Sequence, residues 1–102
     1  MDKKLLDFNW SKEDTPRELL NLSDDQQQKI IDWCEDNIYW RKTYNMEISS
    51  YKLKHFCEHD VGFYVSNGQL KGAMLMAGFL PKNRLDKNWF FKIQTLKRTD
   101  WY

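Results

Sequence analysis

The longest nearly apolar stretch of this 102-residue chain, residues 73–80, falls far short of the roughly 20 residues a membrane-spanning helix needs. The opening MDKKLLDF has no apolar core of the kind a secretory leader carries. With only two cysteines, Cys34 and Cys57, these absences predict reduced thiols in a soluble cytoplasmic protein. No Gly-rich phosphate loop of the Walker type occurs, so nucleotide hydrolysis by that device is excluded. Histidine is equally scarce. His55 and His59 are the only two, and a catalytic zinc needs a third protein ligand that no spacing in the sequence supplies. There is no internal repeat, no low-complexity segment and almost no net charge, with a formal +1 and a pI near 7.7, below the value above 9 typical of a strongly DNA-binding domain.

Aromatic side chains are abundant. Five Trp, five Tyr and six Phe can each bury about 150–250 Å², which suffices to build a core in a chain long enough for one domain. The near-neutral total also hides an asymmetry. Residues 1–40 carry five Lys/Arg against ten Asp/Glu, and residues 41–102 carry eleven against five. The basic part points either to a polyanionic partner or to a merely solvated face.

Helix-start signals recur along the chain. Thr15-Pro16-Arg17-Glu18 reads as a capping box with proline at the first helical position, and Ser23-Asp24-Asp25-Gln26 repeats the device before a helix expected to reach about Trp40. Ser49-Ser50 caps a helix with Leu53, Phe56, Cys57 and Val61 inward and Lys52, Lys54 and His55 outward. Ser66-Asn67-Gly68-Gln69 opens another, on which Leu70, Ala73, Met74 and Ala77 form one face and Gly78 stands at a left-handed cap. A basic turn over 82–87 and a β-type run, NWFFKI, follow.

This order predicts an α+β, mainly α fold: a winged helix-turn-helix in residues 23–102, with a β-hairpin wing near its C-terminal end. Residues 1–22 form a helical N-terminal extension, an arm and a short helix. The motifs S-S-Y-x-L-K-H (residues 49–55) and V-S-N-G-x-x-K-x-A-M-x-x-A-G-F (residues 65–79) resemble those of small, mostly uncharacterised proteins carried by phages and mobile elements of Gram-positive bacteria. A fainter similarity links the same half to the winged-helix tails of viral and plasmid primase-helicases, which implies contact with nucleic acid but no catalytic residue.

On that fold the fourth helix is the reading helix, presenting Asn67, Gln69, Lys71 and Gly72 to base edges. Lys82, Asn83, Arg84 and Lys87 on the wing, with Lys52 and Lys54 on the preceding helix, are placed for phosphate contacts on double-stranded DNA or another nucleic acid. The alternative is a protein-binding inhibitor or adaptor of an anti-defence type, for example an anti-CRISPR, with Trp10, Tyr39, Trp40 and Trp101 as anchors or as core. His55-Phe56-Cys57-Glu58-His59 matches the H-x-x-E-H zinc pattern, yet surface histidines on a basic helix are the expectation. No catalytic residue, metal or cofactor is expected.

Overall fold

The computed structural model describes residues 3–94; Trp101 lies outside the described residues. Two 3-10 helices, Lys3–Asp7 and Pro16–Asn21, precede three α-helices, α1 (Asp24–Asn37), α2 (Ser50–Val61) and α3 (Asn67–Met76). Each α-helix starts where a serine can satisfy an orphan amide. The hydroxyls of Ser23, Ser49 and Ser66 accept from the N–H of Gln26, Lys52 and Gln69. Only Ser66 completes the reciprocal box, with Gln69 Oε1 accepting from its amide at 2.9 Å. Thr15 caps the second 3-10 helix, but Glu18 turns away from that box and accepts a 2.7 Å hydrogen bond from the Ser66 hydroxyl, tying this helix to the start of α3.

α3 is the axis of the molecule. It was expected to show one buried face, yet Leu70, Ala73, Met74 and Leu75 are buried together with Asn67, Gly68, Lys71 and Gly72. Helices α1 and α2 cover part of it, and the second 3-10 helix lies closest. That approach depends on Gly68 and Gly72, one turn apart. A Cβ on Gly72 would lie 2.4 Å from the Pro16 carbonyl, and one on Gly68 2.4 Å from that of Thr15. The helix ends as anticipated at Gly78, φ 96°, with Phe79 N–H donating to Met74 O and Gly78 N–H to Leu75 O in a Schellman pattern. The Phe79 ring beyond it is only half-buried.

The winged helix is not formed. No sheet exists among the described residues, and a β-hairpin wing is absent there; isolated antiparallel bridges join Trp40 to Ile93 and Pro81 to Phe91. The NWFFKI run does alternate as a strand would, with Trp89, Phe91 and Ile93 buried and Phe90 and Lys92 turned outward. Its backbone partners, however, come from scattered places. Arg41 N–H donates to Lys92 O, Asn45 to Phe91 O, Ser50 to Trp89 O, and Lys82, on another segment, to Phe90 O. No partner stays alongside for more than a residue or two, and Pro81 has no N–H to extend its own pairing.

The segment before α1 belongs to the core. Leu6 and Leu19 are wholly buried, and a file of rings runs inward from Phe8 through Trp10 and Trp89 to Phe91, with neighbouring centroids 5.4, 5.4 and 6.1 Å apart.

Candidate functional site

The side chains expected to read bases point into the protein. Lys71, the central one, is fully buried, with its ammonium 4.4 Å from the centroid of the Trp89 ring. Nζ donates to Ser11 Oγ at 2.7 Å and to the Lys87 carbonyl at 2.9 Å, and lies 3.4 and 3.5 Å from the carbonyls of Asp86 and Glu13. Burial pushes the ammonium down to about 8, against the opposing pull of the Asp14, Glu18 and Asp86 carboxylates. Acceptors on every side make this a pin rather than a base. Asn67, one turn earlier, is buried too, and its amide donates to Asp14 Oδ2, Lys87 O and Asn88 Oδ1. Gln69 is engaged in the cap, and the backbone that Gly72 admits is that of Pro16. Helix α3 therefore holds the chain's own loop where a nucleic acid was expected. The one-face pattern missed this because buried Asn and Lys count as polar in any periodicity.

Lys54 is likewise inside. It pairs with Glu58 at 3.3 Å beneath the Tyr64 ring, 4.7 Å from its centroid. Lys52, on the same helix, is exposed. Glu58 also accepts from the Val65 N–H at 3.2 Å and contacts His55 Nδ1 at 3.3 Å. Desolvation pushes its carboxyl up, but the Val65 amide, Lys54 and His55 outweigh that and hold it below its ordinary value. Its stabilising effect is thus present at neutral pH and fades as pH falls through the lowered value. The glutamate of the H-x-x-E-H match is a clamp between α2 and the turn into α3. Replacing Glu58 by Ala should cost about 1–3 kcal/mol, read from urea unfolding at pH 7, with a smaller loss in acid. Among the described residues no group of three or more His, Cys, Asp or Glu is arranged to hold a metal ion. Cys34 and Cys57 are free and buried, and desolvation raises both thiols.

What remains on the surface is the basic loop and its neighbours. Lys82, Asn83, Arg84 and Lys87 are exposed. Pinned beneath by Asn67 and Lys71, the loop is fixed laterally by Ser11 N–H to Arg84 O, 2.8 Å, and by Arg84 Nε to Asn9 O, 3.1 Å. Asn83 Oδ1 accepts from the Leu85 amide, which spends this side chain on the turn itself. Lys87 approaches Glu13 at 4.0 Å and so is partly neutralised.

Two depressions adjoin at this loop. One, of about 460 Å³, is lined by Phe8, Trp10, Leu80, Pro81, Lys82, Asn83 and Arg84; the other, about 240 Å³, by Trp40, Tyr44, Gly78, Phe79, Leu80 and Lys92. Leu80 lines both, so the two depressions meet at this residue and together make a strip on either side of it. Its described lining residues include three cations, Lys82, Arg84 and Lys92, and no carboxylate. Exposed apolar groups share the lining with these charges: Phe8 is 62%, Trp40 61% and Leu80 63% exposed. Trp40 is held by its bridge to Ile93 and by the flanking bonds from Arg41 N–H to Lys92 O and from Gln94 N–H to Tyr39 O.

Of the proposed protein-binding anchors, Trp40 and Tyr39 are exposed, while Trp10 is half-buried with its indole N–H donating to Leu5 O. Tyr44, Leu80 and Lys92 were not singled out by sequence reasoning, and Phe8 only as one of the aromatics by which the N-terminal arm could dock. The outward parity of Lys92 in NWFFKI was the one signal available; the meeting of residues 8, 40, 80 and 92 had none. Comparison with protein-family models, curated proteins and solved structures gave no match.

Proposed function

We propose that this chain is a non-enzymatic nucleic-acid-binding protein that engages the phosphate backbone through the strip around the 80–84 segment. The observation that carries the proposal is the charge of that strip, where Lys82, Arg84 and Lys92 have no carboxylate among its described lining residues. A backbone polyanion is the partner such a charge suits, and affinity then rests largely on counterion release. Assignment to a phage or mobile element rests on the sequence resemblance alone. Titration with nucleic acid at 50 and 200 mM salt tests the function. Three phosphate contacts correspond to a fall of roughly 20- to 40-fold between those concentrations. Joint replacement of Lys82, Arg84 and Lys92 by Ala should flatten most of that dependence. Undetectable binding at low salt would remove the proposal.

A second reading, an inhibitor or adaptor that binds a protein, is favoured by the outer face of α1. Asp24, Asp25, Asp32, Glu35 and Asp36 are exposed there with Lys29 as their one cation on the helix. A partner recovered after nuclease treatment and lost on reversing these charges would support it.

A further inference from the structure

We infer that the strip takes single-stranded nucleic acid, with unpaired bases stacked on Trp40 and Phe8 while Lys82, Arg84 and Lys92 follow the phosphates. This rests on the nucleic-acid reading above and names the form of the partner. Charge alone would serve duplex and single strand alike. The aromatic groups decide between them, because a duplex buries the faces of its bases and offers a flat ring nothing to stack on. Large, exposed rings in the same lining as cations suit a strand whose bases are splayed out.

Three further features agree. The Phe8 ring and the Trp40 backbone are held before any ligand arrives. Trp40 is anchored by backbone pairing on both sides, and Phe8 packs edge-on against Trp10 at 5.4 Å, itself seated on buried Trp89. Little backbone ordering entropy is then lost on binding. The helix expected to enter a major groove, α3, is buried among α1, α2 and the second 3-10 helix, so that mode of duplex recognition is closed to it. Lys92 already lies 5.1 Å from the Tyr44 ring centroid, which places a cation at the edge of the Trp40 depression where a phosphate flanking a stacked base would pass.

The test is fluorescence anisotropy with a labelled oligothymidine of about 20 nucleotides and a duplex of equal length, using the full chain at low salt. The single strand should bind more tightly. Trp40→Ala and Phe8→Ala should each weaken single-strand binding by roughly 5- to 150-fold, the equivalent of about 1–3 kcal/mol per stacked base, with the salt dependence kept. Trp40→Tyr should restore most of the loss. Thermal melting confirms that these exposed substitutions leave the fold intact.

Aromatic variants that bind as the parent does, alongside a Lys82/Arg84/Lys92 variant that loses binding, would overturn the stacking inference and leave the nucleic-acid reading standing. Duplex binding equal to or tighter than single-strand binding would also overturn it. No binding of either probe by the parent removes both proposals, and a protein captured through Trp40 would then take their place.

Discussion

Replacing Lys71 by alanine should lower the unfolding free energy by about 3–5 kcal/mol, a large part of the roughly 5–15 kcal/mol that holds a domain of this size together. The ammonium is the shared donor for the buried Ser11 hydroxyl and the part-buried carbonyls of Glu13, Asp86 and Lys87, and its removal leaves all of them without that donor. Each buried orphan costs about 1–3 kcal/mol, and the vacated volume beside Trp89 adds to it. Relief from burying a charge acts the other way but does not offset several lost partners.

The damage should be local first. Exchange of the Ser11 amide, bonded to Arg84 O, should accelerate well before that of the Ile38 amide, bonded to Cys34 O at the end of α1. A pH series adds a sign. Lys71 holds its proton less tightly when folded, about 8 against an ordinary 10.5, so between those values the unfolded chain binds more protons and the lysine's contribution to stability rises with pH. The stability gap between parent and Lys71→Ala should therefore widen from pH 8 toward 10. Unchanged stability at pH 7 would show that Lys71 is not the pin described.

Gly72→Val should be as severe, with a loss of about 3 kcal/mol or more by chemical unfolding. Valine gains only a few tenths of a kcal/mol over glycine in helix propensity, whereas overpacking a core costs about 1–3 kcal/mol and more when backbone has to move. Backbone is what it meets: a Cβ at position 72 would sit 2.4 Å from the Pro16 carbonyl and 2.8 Å from Leu19 Cβ. Trimming the neighbour by Leu19→Gly, which removes the contacting Cβ, should not rescue the variant, because the shorter contact is with a carbonyl fixed in the 3-10 helix. Rescue would place the clash in the side chain instead.

Local structure was legible in the sequence wherever its cause lay within a few residues. Serine hydroxyls at positions 23, 49 and 66 marked the helix starts, Gly78 marked the end of α3, and the composition of NWFFKI marked an extended run. Those signals act over one turn or one pleat and survive any tertiary arrangement. Whether NWFFKI would find a strand partner, and whether α3 would show a face to solvent, depended on contacts between distant segments. Lys71 reaches 60 residues back to Ser11, Asn67 reaches 53 back to Asp14, and Glu18 meets Ser66 across 48. A lysine, an asparagine and two glycines on a helix are compatible with an exposed binding face and with a buried one that clasps a loop and a close-packed turn. Only the fold decides, because burying an ammonium requires acceptors from several segments to converge on it. The same applies to the candidate site, where the basic loop was visible in residues 82–87 but its union with Phe8, Trp40 and Lys92 was made by the packing of four separate stretches of chain.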